Sequence, residues 1–132
     1  MEKELTIKQV SQITGLSEHT LRYYEKINLL DPVGRSLSGA RVYTETDVTW
    51  IHFLNRLRAT GMSIRKMQEY ADLRRQGEHT LMKRNAMLKS HYKEVLKRIS
   101  ELQGNLAEIE KKMKYIEELM EQKKLQGEDH ND

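Results

Sequence analysis

Arg22, Tyr23, Tyr24 and Glu25 stand side by side in the stretch LSEHTLRYYEKINLL, residues 16–30. An arginine and a tyrosine held toward solvent can hydrogen-bond phosphates and base edges. That is the chemistry this chain is best equipped for. The materials of catalysis are poorly placed beside it. His19, His52, His79, His91 and His130 are scattered, and His79 and His91 lie too far apart on a helix to share a metal. No Ser/His/Asp arrangement and no phosphate-cradling glycine loop stands out. There is no cysteine, which excludes disulfides, thiolate metal sites and cysteine nucleophiles. The expectation is a protein that is not an enzyme and holds no cofactor or metal.

What Arg22 and Tyr23 do depends on the element that carries them. Leu21 and Tyr24 share a helix face by the three-residue spacing, and Arg22 and Tyr23 fall on other faces. One reading has both tyrosines packed and Arg22 paired with Glu25 at i+3. The other has Arg22 and Tyr23 reaching a partner, and the surrounding elements favour it. Thr6 with Gln9 fits a capping box that opens a helix over 7–14, with Ile7, Val10 and Ile13 on one face. TGLS, at 14–17, is a tight turn in which Gly15 supplies a positive φ. Ser17 then caps a second helix over 18–26. Helix, glycine turn and helix within about 20 residues is the helix-turn-helix pattern. The second helix holds the recognition position, with Ser17, His19, Arg22 and Tyr23 outward.

The following segment, LLDPVGRSLSGARVYTETD, breaks helices at Pro32, Gly34 and Gly39 and favours a strand at Val42 and Tyr43. It predicts a β-hairpin with its tip around Arg35–Gly39, displaying Arg35, Ser38 and Arg41 as a wing. Thr44 and Asp47 fit another cap. A third helix over 46–59 carries Val48, Trp50, Ile51, Leu54 and Leu57. Gly61 ends it. Ser63 caps a fourth helix, on which Ile64, Met67, Tyr70 and Ala71 run to about Arg75. Lys8, Arg35, Arg41 and Arg58 lie on elements flanking the recognition helix.

Past Gly77 the pattern changes. Leu81, Asn85, Leu88, Tyr92, Val95, Ile99, Leu102, Leu106, Ile109, Met113, Ile116 and Met120 keep strict 4-3 spacing, and all but Asn85 are apolar. A sustained period of 3.5 residues predicts a left-handed coiled coil about 60 Å long. The residues from Leu88 to Met120 form the expected dimer interface, because the head is too small to cover so long a stripe. Charge pairing leaves the orientation open. In an antiparallel pair Lys89 meets Glu117 favourably but Arg98 meets Lys112; a parallel pair brings Lys112 to Glu117. The expected organisation is mainly α: a winged helix-turn-helix head over 1–76, one long dimerisation helix over 77–125, and a disordered tail over 126–132.

Composition agrees. Of 132 residues, 37% are hydrophobic and 33% charged, a thin core for the length. The net charge of +3 resides entirely in residues 1–76, which hold 12 Lys/Arg and 9 Asp/Glu. A basic head suits a nucleic acid. With no run of about 18 apolar residues and no apolar leader in MEKELTIKQV, the expectation is a cytoplasmic protein without a membrane partner.

The stretch LTIKQVSQITGLSEHTLRYYEKINLLDPVGRSLSGARVYTETDV, followed by LRATGMSIRKMQEY, resembles the mercury-resistance regulator (MerR) family of bacterial transcription factors. The resemblance covers residues 5 to about 75, and the long helix fits it. It implies a winged helix-turn-helix head, an antiparallel coiled-coil homodimer, an inverted-repeat operator and distortion of promoter DNA that lets RNA polymerase engage. By motif position it implies Arg22 and Tyr23 in the recognition helix, Arg41 and Tyr43 in the wing, and Arg58 as DNA contacts, with Tyr24 structural or semi-structural. Metal-sensing and thiol-sensing relatives need cysteines that this chain lacks, and drug-binding relatives carry a further large domain. The inducer is therefore unknown. A small apolar ligand near Trp50, Tyr70 and Tyr92 competes with a plain core role for those aromatics. The competing function is a coiled-coil adaptor whose basic head is incidental.

Overall fold

A computed structural model describes residues 3–31 and 33–129. Strand β1 (Leu5–Thr6) leads directly into helix α1 (Ile7–Thr14). Thr6 and Gln9 close a reciprocal capping box, which satisfies two backbone N–H groups at the helix start. Gly15 ends α1 at φ 77°, a backbone state that costs a residue with a Cβ extra energy. Ser17 caps α2 (Glu18–Lys26) by accepting from the Thr20 N–H. Asn28, at φ 65°, turns the chain out of α2. Leu29 N–H and Leu30 N–H both donate back to the Tyr24 carbonyl, and both side chains enter the core.

The wing is β2 (Gly34–Arg35) and β3 (Arg41–Tyr43). Strand β3 is central in an antiparallel sheet of order β1-β3-β2, with Leu5 opposite Tyr43 and Gly34 opposite Val42. The sequence predicts the hairpin but not its third strand, since two residues are too few to show a period. Pro32 lies outside the described residues. Thr44 caps α3 (Glu45–Ala59) with Asp47, and Ser63 caps α4 (Ile64–Gln76).

Val10, Leu21, Tyr24, Leu29, Tyr43, Ile51, Leu54 and Met67 are sealed from solvent at the centre of this head. Trp50 joins them and donates its Nε1–H to the Leu29 carbonyl at 2.8 Å. Ile13 is a correction: it is 51% exposed. Each three-residue step falls short of a full helical turn, so Ile13 stands about 120° around the helix from Ile7. Val10, between them, takes the buried position.

Gly77, at φ 108°, ends α4, and a single 3₁₀ turn (Glu78–Thr80) leads into α5 (Leu81–Asp129), 49 residues long. Buried Thr80 pins this elbow by donating to the Leu73 carbonyl at 2.7 Å. Arg84 braces it, with Nε to Thr80 Oγ1 at 3.0 Å and an Nη to the Gly77 carbonyl at 3.3 Å. The chain forms two compact units, and the first extends past the elbow to His91 because Met87 and Leu88 pack on the head. The second begins at Tyr92. Helix α5 continues through residues 126–129, inside the segment the sequence assigns to the tail. His130, Asn131 and Asp132 lie outside the described residues.

Candidate nucleic-acid interface

Helix α2 divides its side chains cleanly. Leu21 and Tyr24 are fully buried, while His19, Arg22 and Tyr23 are exposed, Tyr23 by 44%. The Arg22–Glu25 pair weighed from sequence does not form. Arg22 lies 3.7 Å from Glu18, one turn earlier, in a contact half open to water. A pair so exposed is worth little and leaves the guanidinium available. Glu25 instead accepts from Arg41 Nε at 2.6 Å.

That bond changes the part Arg41 plays. It is a wing residue, but only 24% of its side chain is exposed, and it ties β3 to the recognition helix. Tyr43 needs a firmer correction. It is fully buried, and its hydroxyl has no partner among the described residues. Burial, with the nearby Glu25 carboxylate, raises the phenol above its ordinary 10.0. Alternation along β3 sends Val42 and Tyr43 to opposite faces, and Tyr43 takes the core face. Tyr43 is therefore a core side chain, with ring and hydroxyl closed to solvent.

Lys8 is exposed in the first turn of α1. Ser17 is exposed too, although its hydroxyl already serves as the α2 cap. On the wing Arg35 donates to the Gly39 carbonyl at 3.3 Å, and Ser38 and Ser36 hydroxyls lie 2.8 Å apart. Leu37 stands fully exposed at the tip. Sequence reasoning passed over it, although an apolar residue inside RSLSG is itself a signal. Arg58 is exposed and donates to the buried Tyr24 hydroxyl, with its guanidinium 5.8 Å from the ring centroid. This bond too was missed. It holds a cation from the end of α3 against the inner face of α2.

The structure thus brings Arg22, Tyr23, Arg41 and Arg58 together through α2. Arg35 and Ser38 occupy the wing, and Lys8 the neighbouring helix. Among the described residues no group of three His, Asp or Glu side chains could hold a metal ion.

Residues 5–73 match the family model described as MerR HTH family regulatory protein, and residues 48–112 match the one described as MerR, DNA binding. The chain belongs to the MerR family. It is a DNA-binding transcriptional regulator and not an enzyme. The adaptor reading is thereby set aside. Among its relatives, the HTH-type transcriptional regulator YyaN of Bacillus subtilis is 38% identical over 117 residues, covering 87% of this chain and 82% of YyaN. The regulator AdhR of the same organism is 42% identical over 84 residues, 64% of this chain but only 60% of AdhR. Among solved structures, HiNmlR, a MerR family regulator lacking the sensor domain and bound to promoter DNA, aligns with a TM-score of 0.80 at 31% identity, covering 88% of this chain and 92% of that one.

This MerR protein carries a second candidate surface on α5. Tyr92, Ile99, Leu102, Leu106, Ile109, Met113, Ile116 and Met120 are all exposed by 44% or more, and Val95 is half-buried. Leu88 differs from the rest of the stripe, since it packs partly on its own head. No described helix is long and apolar enough to cross a membrane.

Proposed function

We propose that this regulator works as a homodimer that grips an inverted-repeat operator and distorts the promoter DNA between its two heads. One observation carries the reading. A single chain presents a recognition helix with a free polar face and, on α5, an apolar stripe in water from Tyr92 to Met120. Monomeric proteins rarely leave so long an apolar patch uncovered. Two copies joined along it, antiparallel as the family resemblance implies, would cover it.

In this reading Arg22 and Tyr23 enter the major groove, where an arginine can bond a guanine edge in a bidentate manner. His19 and Ser17 approach a phosphate at the start of α2, where backbone N–H groups favour an anion. Lys8, Arg35, Ser38 and Arg58 take flanking phosphates. Arg41 acts at one remove, by fixing Glu25 and hence the wing against α2. HiNmlR, which resembles this chain over most of its length, is described as bound to promoter DNA, which supports the same use here. The regulator works in the cytoplasm, where RNA polymerase meets the promoter.

Two heads joined through a rigid coil demand a DNA shape that straight B-form does not offer. Bending a site of 20–30 base pairs costs roughly 1–6 kcal/mol, which several contacts can offset. The distortion realigns promoter elements set too far apart. The test is a spacer series in transcription in vitro with purified polymerase. Activation should peak at the native, over-long spacing and fall as base pairs are removed. Equal activation at every spacing, or an operator well upstream of both elements, would leave occlusion as the better account.

A further inference from the structure

We propose that the cleft walled by α3, α4 and the first turns of α5 binds a small aromatic carboxylic acid. The cleft lies wholly within the first compact unit and holds about 560 Å³. Sites for small organic ligands fall in the range of roughly 300–1,000 Å³ and are mostly apolar with a few convergent polar groups.

Its apolar wall is a cluster of three rings. Trp50 and Tyr70 stack with centroids 5.9 Å apart and 15° between planes, and Phe53 lies 6.0 Å from Trp50 and 5.7 Å from Tyr70. Trp50 and Tyr70 are more than nine-tenths buried and show the cleft only their edges, so half-buried Phe53 offers the larger apolar surface, which accepts a flat ring edge-on. Its charge is one-sided: Arg74 and Arg84 line it, and no carboxylate does among the described residues. The Arg74 guanidinium lies 4.3 Å from the Trp50 ring centroid, and its nearest acid, Asp31, is 3.6 Å away. Asp31 is engaged more closely by Arg75, at 2.6 Å. Arg84 donates to two neutral acceptors, the Thr80 hydroxyl and the Gly77 carbonyl. Arg84, which bonds only neutral acceptors there, and Arg74, which shares Asp31 with Arg75, bring two planar forks to the cleft, and these match the two oxygens of a carboxylate.

The site shares no side chain with the DNA-contacting set, so its occupancy is independent of the reading given above and can be measured without DNA. Trp50 is the only tryptophan of the chain and belongs to the cleft wall, so its emission reports on the cleft. The full-length protein is titrated with 3-phenylpropionate, 3-phenylpropan-1-ol and 3-phenylpropylamine, which do not absorb where tryptophan alone is excited. A saturable change in Trp50 emission with the acid, about tenfold weaker with the alcohol and absent with the amine, is the expected result. Arg74→Gln with Arg84→Gln should abolish the preference for the acid. Arg74→Lys with Arg84→Lys, which keeps both charges and guards against a folding defect, should retain it. Equal binding of acid and alcohol would overturn the proposal, as would the absence of saturation. So would emission that follows protein dilution and ignores the acid, which would mean that a second copy of the chain fills the cleft.

Discussion

The head and the far half of α5 are both helical, yet they use their apolar residues in opposite ways. In the head, Val10, Leu21, Tyr24, Ile51, Leu54 and Met67 meet one another and are closed to water. From Tyr92 onward nearly all the stripe residues stand open to water. The head's apolar periods are short and switch direction at capped turns, so successive segments fold back on each other. In α5 one period runs on for 40 residues without a break, and a straight helix cannot bury its own face. One pattern specifies a self-sufficient core; the other leaves an apolar surface open, which the proposed dimer would cover.

The sharpest way to break that contrast is to spoil the stripe alone. Ile99→Asp with Leu106→Asp puts four carboxylates into the seam of a dimer, at several kcal/mol each. Sedimentation should then show monomers with weak operator binding, while Trp50 emission stays native. A dimer unchanged in mass would show that the stripe is not the interface. Spoiling the core should do the reverse. Leu54→Ala removes a sealed side chain and should cost about 2–5 kcal/mol of head stability. Thermal unfolding of the head should shift down, while the coil keeps its helical circular dichroism at low temperature.

Smaller effects separate the two faces of α2 and its neighbours. Arg22→Ala should weaken operator binding by about 1–3 kcal/mol and relax sequence preference at one position if Arg22 reads a base. A uniform loss, with the salt slope reduced by about one, would assign it to a phosphate. Wild-type values for both would remove it from the interface. The smallest change expected is Tyr43→Phe. A buried hydroxyl without a partner contributes nothing, so stability at neutral pH should hold or rise by up to about 1 kcal/mol, with operator affinity unchanged. The phenol is raised in the folded state. The folded chain therefore keeps a proton that the unfolded chain releases above 10.0, and stability falls as pH climbs past that value. Tyr43→Phe should blunt this alkaline loss in a pH-jump unfolding series. A drop in operator affinity would restore Tyr43 as a contact.

Caps and turns were legible because single residues decide them. Thr6 with Gln9, Ser17, Thr44 with Asp47, Ser63 and Gly15 announce their roles by type and offset, and each does what its type predicts. The outward face of α2 was legible for the same reason, since helical spacing separates Leu21 and Tyr24 from Arg22 and Tyr23. What stayed hidden was set by partners far along the chain. Glu25 has Arg22 three residues away but bonds Arg41, sixteen residues on. Arg58 reaches Tyr24 across 34 residues. Tyr43 looks like a wing residue until the sheet's packing on α1 fixes which face is inside. Strand β1 exists only because β3 offers it an edge.

The confinement of the core has a consequence for how the protein assembles. Among the described residues every closed side chain lies between Leu5 and Thr80. Only Met87 and Leu88, in the first turns of α5, add to the contacts that seal the head. The head closes its core within one chain, with no need of a partner. Pairing errors along α5 therefore yield well-folded single chains, which remain free to meet a correct partner later.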